Sequence, residues 1–333
     1  MVTIKDVAKE AGVAISTVSN VLNNVDVVSE ETRQKVLDAA EKLHYVPNMN
    51  AKFLKSNKKN SIGLFLTSIQ GDFYKDLMQA VHLQCKLKGY QLNIYISNEN
   101  TSEEIYSMII SSGVEGAIVL NEHLSQEYID RLAMARMPLV FIDREYCGEQ
   151  MSSVIIDSME GATLAMEYLI KQGHRRIGFF HGIFNFDDEC RYNAYENVLK
   201  KYNLPIDESI ILRAYFEETL AYSEMRVFLL KGTKLPEAFF CANDEMAWGC
   251  VRALMEAGIN VPDDISVVGF DDNAVARYNT PAITTVHSPV AELGTYAITE
   301  LIRLMQSEER VQGGVFRLSP ALVLRDSCKL RIG

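Results

Sequence analysis

The 333-residue chain lacks any run approaching the ~20 consecutive apolar residues that a membrane-spanning helix needs, so no membrane anchor is expected. Its first residues mix Lys5, Asp6, Lys9 and Glu10 among apolar ones. A secretory leader would show a basic stub and then an apolar core, so none is expected and the cytoplasm is the expected location. Six cysteines, at 85, 147, 190, 241, 250 and 328, form no C-x-x-C pair and are spread along the chain. They are expected to be free, buried thiols, with no disulfide framework and no metal site. The chain also contains no G-x-G-x-x-G, G-x-x-x-x-G-K-[ST], G-x-S-x-G or H-E-x-x-H motif, and its histidines are scattered at 44, 82, 123, 174, 181 and 287. Neither enzymatic activity nor a cofactor is expected. His181, directly after a candidate strand, is the one histidine placed to meet a ligand.

What is present fits a multidomain globular protein. The hydrophobic fraction of 48% and charged fraction of 23% are ordinary for soluble chains, and the length favours two or three units at about 150 residues each. A net charge of −11 argues against nucleic acid until its distribution is considered. Residues 1–60 hold nine basic against seven acidic residues, and the remainder holds 24 against 37. From Lys42 to Lys59 there are five lysines and no acid, the pattern of a phosphate-facing segment, though a solvated linker would look similar.

Local signals divide the N-terminal part into three short helices. Thr3-x-x-Asp6 forms a capping box with Asp in place of Glu, opening a helix that Gly12 stops. After a tight connection, Val18, Val21 and Leu22 share one helix face and leave Thr17, Ser19 and Asn20 on others. Ser29 caps a third helix with Glu30 and Glu31 in its first turn, an expected buried stripe of Val36, Leu37, Ala40 and Leu43, and Pro47 as its stop. Two helices joined by a turn at Gly12–Ala14 form a helix-turn-helix, whose second helix can enter the major groove. Ser16, Thr17, Ser19 and Asn20 are poor helix formers but good readers of base edges. An ordinary capped helix of an N-terminal subdomain is the alternative on spacing alone.

TIKDVAKEAGVAISTVSNVLNN, VSEETRQKVLDAAEKLHYVPNMNAKFLKSNKKNSIGLF, EGATLAMEYLIKQGHRRIGFF, ANDEMAWG, VPDDISVVGFDD and TPAITTVHSP occur in this order. Together they closely resemble the lactose-repressor/galactose-repressor (LacI/GalR) family of bacterial transcription regulators over essentially the whole chain. The resemblance implies DNA contacts from Thr3, Ile15, Ser16 and Thr17, and from Ser19, Asn20 and Asn23. It also implies a hinge helix over 48–60, with Asn48 as its cap, in which Ala51, Leu54 and Lys55 match the family pattern and Leu54 wedges a central base step from the minor groove. Asn50 and Phe53 depart from that pattern. The implied partners are a pseudo-palindromic double-stranded operator, a small-molecule effector and a second copy of the chain, with the nucleoid reached through the operator. CKLRIG ends the sequence without a leucine-rich heptad tail, so a homodimer is expected over a tetramer.

Beyond residue 60, strands alternate with helices: SIGLFLTS, a helix from about Phe73 to Lys88, QLNIYIS, GAIVL and PLVFID, then RIGFFHG, SIILRAY, EAFFCA and ISVVGFD. Runs apolar throughout fit parallel sheets covered on both faces. The parallel openings Ile62-Gly63-Leu64-Phe65 and Ile177-Gly178-Phe179-Phe180 suggest two similar halves. The expected fold is α/β: a three-helix headpiece (1–47), a hinge (48–60), and a two-lobed, doubly wound, periplasmic-binding-protein-like effector domain (61–333). Its first lobe takes about 61–157 plus 289–317, and its second about 158–288 plus 318–333.

Ligands of such sheets sit beyond the carboxyl ends of strands. The candidates there are Asp72 and Phe73; Asp143 with Arg144; Asp157; Asn185, Asp187 and Arg191; Phe216; Asn243 with Asp244; and Asp271. Asn243 and Asp271 could equally cap the next helix. A guanidinium, an amide, carboxylates and aromatic faces make a good polyol binder. The resemblance places Arg191, Asn243 and Asp271 at effector-hydroxyl positions of sugar-responsive relatives and Phe216 at their aromatic platform. A sugar or sugar derivative is the favoured effector, a nucleobase or other metabolite the alternative, and Asp187 disfavours a phosphorylated or carboxylated one. A sugar-transport protein with the same lobes would need a leader and no headpiece.

Overall fold

The computed structural model describes residues 2–22, 27–45, 60–97, 101–142, 144–183, 185–307 and 309–330. Asn23, Pro47, the hinge with Ala51, Leu54 and Lys55, and Asp143 lie outside the described residues. The chain divides into two compact units, Met1–Lys59 and Asn60–Gly333.

In the first unit, helices α1 (Ile4–Ala11), α2 (Ile15–Leu22) and α3 (Glu30–Lys42) share one small core of Val7, Ala8, Val18, Val21, Val36, Ala39 and Ala40. The backbone N–H and hydroxyl of Thr3 both donate to the Asp6 carboxylate, at 2.8 and 2.7 Å, which holds that carboxyl below the usual carboxylate range. Gly12 ends α1 in the left-handed region at φ 64°, its N–H turned back to the carbonyls of Ala8 and Lys9. Ser29 Oγ accepts from Thr32 N–H at 3.4 Å and starts α3. One expected core residue is out of place: Leu37 is 43% exposed, and Ala39 is buried instead. Val36, Ala39, Ala40 and Leu43 follow the three-and-four spacing of a single helix face, and Leu37 lies about 100° from Val36 around the axis.

The second unit contains two six-stranded sheets. One comprises β1 (Ser61–Leu66), β2 (Gln91–Ile96), β3 (Gly116–Leu120), β4 (Leu139–Phe141), β5 (Met151–Ile156) and β11 (Val315–Leu318), in the order β11-β5-β4-β3-β1-β2 and all parallel. The other comprises β6 (Ile177–His181), β7 (Ile211–Arg213), β8 (Ala238–Cys241), β9 (Ser266–Asp271), β10 (Thr284–His287) and β12 (Ala321–Val323), in the order β12-β10-β9-β8-β6-β7. Among the described strands of this sheet only β12 runs antiparallel to its neighbour. The chain passes between the sheets after β5, after β10 and between β11 and β12.

Helices cover both faces of the first sheet. Asp72–Lys88 and Val290–Gln306 pack on one side and Ser102–Ser112 and Gln126–Met134 on the other, each side with its own apolar cluster. Central strands β1 and β3 are buried at every position, as continuous apolar runs require, whereas the edge strands β2 and β7 are partly exposed. All six cysteines are free; Cys85, Cys241 and Cys250 are buried as expected, Cys190 and Cys328 are half-buried, and Cys147 is exposed in the connection between β4 and β5. No described helix is long and apolar enough to cross a membrane.

Candidate functional site

In the headpiece, packing turns Val18 and Val21 into the core and leaves the rest of α2 on or near the surface. Ile15 is 41% exposed, Ser16 is exposed, and Thr17, Ser19 and Asn20 are half-buried. The first turn of α2 carries no acidic residue, so nothing there opposes the approach of a phosphate to the helix N-terminus. Thr3 is exposed, with its hydroxyl engaged by Asp6.

The effector domain encloses a cavity of about 550 Å³, the size of a small-ligand pocket. Its walls come from the loops that leave the carboxyl ends of β1, β3, β6, β7, β8 and β9, so both lobes contribute. Asp72, Phe73, Asn185, Asp187, Arg191, Phe216, Asn243 and Asp271 all line it. Asp157 does not: its carboxylate accepts Glu160 N–H at 2.8 Å and caps the helix Ser158–Lys171. His181 also stays outside, with Nδ1 2.8 Å from a carboxylate oxygen of the buried Asp188. Arg144 is likewise turned away, its guanidinium donating to the carbonyls of Leu124 and Asn121.

One polar chain organises the second-lobe wall. Arg191, 6% exposed, projects from the helix Phe186–Lys201 with its guanidinium 3.8 Å above the Phe270 ring. It donates to the Ala242 carbonyl, lies 3.6 Å from Asp271 Oδ1, and donates through Nε to Ser158 Oγ at 3.4 Å. Ser158 in turn donates to Asp187 at 2.7 Å, and Ser288 donates to Asp271 at 3.1 Å. Burial pushes the Asp271 carboxyl up against the opposing pull of Arg191. Asn185 and Asn243 cap the helices that follow them, through Asp188 N–H and Met246 N–H, both at 2.9 Å. The Asn243 amide also donates to the Phe216 carbonyl at 3.1 Å, tying the loop after β7 to β8.

That loop is held in an uncommon conformation. Tyr215 and Phe216 have φ of 53° and 64°, and Asp271 has φ 105°, a concentration of strained backbone on the cavity wall. The Phe216 ring lies over Gly182, where a Cβ would stand 2.2 Å from ring carbon Cζ. Only glycine at 182 leaves the ring its place. Across the cleft, Asp72 of the first lobe accepts the N–H of Ala274, first residue of the second-lobe helix Ala274–Tyr278, at 3.2 Å, and ion-pairs with Lys75. The Lys75 bond holds Asp72 below the usual carboxylate range.

Glu122, Glu217, Glu218 and Glu245 are lining carboxylates that sequence reasoning did not single out. Glu245 is pushed up to about 7 by burial and then by the neighbouring Asp271. Below about pH 7 its carboxyl carries a proton in the fold that it releases on unfolding, where the ordinary value is 4.5. Its contribution therefore grows as pH falls from 8 towards 6 and amounts to about 1 kcal/mol over that window. Asp244, a candidate contact that proves fully buried and no part of the cavity lining, and Asp271 are raised in the same sense, so the test is a difference. Urea denaturation of wild type at pH 8 and pH 6 should show a larger stability gain than Glu245→Gln by about that amount; equal gains would refute the assignment.

Residues 3–48 match the family of bacterial regulatory proteins, lacI family, and residues 166–328 match the periplasmic binding protein-like domain. The chain is 36% identical over 339 residues to the HTH-type transcriptional repressor PurR of Pasteurella multocida, covering 100% of both proteins. It is 36% identical over 332 residues to PurR of Pectobacterium carotovorum, covering 98% of this chain and 97% of that one. The lac repressor dimer bound to operator and the anti-inducer ONPF is similar in structure, with a TM-score of 0.86 at 27% identity over 98% of this chain and 99% of that one. The transcriptional regulator CelR in complex with cellobiose gives 0.74 at 28% identity over 98% and 100%. These relatives are regulators, not enzymes, in keeping with the absence of a catalytic motif. The chain belongs to the lacI family of bacterial regulatory proteins, as a DNA-binding transcriptional repressor under small-molecule control.

Proposed function

We propose that the effector is a sugar or sugar derivative, without phosphate or carboxylate, held between the lobes and setting operator affinity. The observation that carries this reading is the wall itself. Arg191, Asp271 and Asp187, the last joined to Arg191 through the buried Ser158, form a connected line of donors and acceptors, Phe216 and Phe73 supply flat apolar faces, and the lining carboxylates repel anions. A polyol needs that mixture, and CelR, similar over the full chain, is seen with cellobiose.

A second reading is a purine nucleobase. It is favoured by the whole-length relatives named PurR and by the aromatic rings Phe73 and Phe216 in the wall. A thermal-shift screen with mono- and disaccharides beside purine bases separates the two, because a ligand of the folded state raises its melting temperature. A sugar hit with silent purines is the expected result; a purine hit with silent sugars overturns it.

The operator is read, in this proposal, by Ile15, Ser16, Thr17, Ser19 and Asn20 of α2, with the hinge pairing between two copies of the chain. Exposed Leu83 and Leu87 on the helix Asp72–Lys88, and Ile94 and Ile96 on edge strand β2, support a partner copy against the first lobe. Effector binding would then bias hinge pairing, and by linkage the operator would bias effector affinity by the same factor.

A further inference from the structure

The charge of the cavity exceeds what a neutral sugar calls for. Among the described lining residues stand seven carboxylates, Asp72, Glu122, Asp187, Glu217, Glu218, Glu245 and Asp271, against one cation, Arg191. Arg191 already faces Asp271 at 3.6 Å. Asp72 is satisfied by Lys75 and the Ala274 N–H, and Glu218 by Arg252. Glu245 differs from these. It sits in the first turn of the helix Asp244–Glu256, receives the Asn243 amide at 2.9 Å and shares a hydrogen bond with the Asn273 side chain, but no ion pair to it is present among the described residues.

A carboxylate facing a cavity with amide donors alone is poorly compensated and holds a proton up to about pH 7, and a cation arriving with the ligand would displace that proton and complete it. A hydroxyl in that position would gain only a neutral hydrogen bond, whereas an ammonium gains a charge-assisted one and relieves the repulsion from Asp271 and Asp72.

We infer that the effector carries a free amino group, as an amino sugar does, with its ammonium against Glu245 and its hydroxyls along the Arg191–Asp271 wall. This rests on the sugar reading above and narrows it. It makes Glu245 the residue that sets the choice between amine and hydroxyl. Acylation of the nitrogen removes the charge and should abolish the preference.

The test is calorimetric titration of the full-length protein at pH 7 with matched pairs: glucosamine and glucose, galactosamine and galactose, mannosamine and mannose, each with its N-acetyl form. In at least one series the amine should bind tenfold or more tightly than both the parent sugar and the N-acetyl derivative. In Glu245→Gln the ratio of amine to parent affinity should fall to about one, with the melting temperature and circular dichroism of the variant confirming its fold. Should that variant fail to fold, Glu245→Asp serves, the ratio then falling but staying above one. Equal affinities for amine and parent would overturn the inference and leave the sugar reading standing. If no member of any series binds while a purine does, both fall.

Discussion

Replacing Arg191 by Met should lower the stability of the effector domain by about 3 kcal/mol at pH 7.5, because it removes one partner of a buried ion pair and leaves the other uncompensated. Methionine keeps much of the side-chain volume, so packing over Phe270 is largely preserved and the loss is electrostatic. The Ala242 carbonyl and Ser158 hydroxyl lose their donor in the same step, which adds to the cost. Two further results follow from the raised Asp271 carboxyl. The penalty should shrink as pH falls, since Asp271 can then take up a proton, and the double variant Arg191→Met, Asp271→Asn should recover part of the loss. Urea denaturation of wild type, both single variants and the double variant measures all of this. A cost for the double variant equal to the sum of the singles would show that the two side chains do not act as a pair.

The second large effect concerns α2. Changing Ser16 and Thr17 together to Ala improves helix propensity by several tenths of a kcal/mol per residue, so headpiece stability should hold or rise. Specific operator affinity should nevertheless fall ten- to a hundredfold, as expected when two base-edge contacts at about 1 kcal/mol or more each are lost. Affinity for random duplex, and its dependence on salt, should not change, because that binding is carried by phosphate contacts. Fluorescence anisotropy on a palindromic duplex selected from a random pool, beside a scrambled duplex, reads both quantities. A variant that is more stable and binds its operator equally well would mean that these hydroxyls do not read bases.

How much of this was visible in the chain itself depends on the range over which each signal acts. The headpiece helices were legible because Thr3, Gly12 and Ser29 act within a few residues of where they stand. Leu37 was misplaced because a leucine beside a buried valine looks like core, when the small Ala39 fills the face instead. Strand β5 escaped notice for a different reason: MSSVII carries two serines, both fully buried. Ser152 is satisfied by Glu300 and Ser153 by the Tyr146 carbonyl, partners 148 and seven residues away that no periodicity reveals.

The cavity was legible to the extent that strand ends were. Asp72, Asn185, Phe216, Asn243 and Asp271 follow strands and converge as expected. Asp157 follows a strand too and merely caps a helix, and a single sequence gives a cap and a ligand contact the same signature. Glu245 was missed because an acid in the first turn of a helix has an ordinary explanation in the helix dipole. Only its burial beside Asp271, a residue 26 positions on, marks it as costly to ionise. Asn243 proves to be both things at once, a cap for Met246 and the tie that holds the Phe216 loop over the cavity.

The most direct test titrates the selected operator into full-length protein with and without a saturating concentration of the ligand found by thermal shift, and then titrates the ligand into protein with and without operator. Coupling through the lobes predicts that the ligand changes operator affinity and that the operator changes ligand affinity by the same factor. A ligand that occupies the cavity, as loss of its binding in Arg191→Met would confirm, yet leaves operator affinity unchanged would contradict the account.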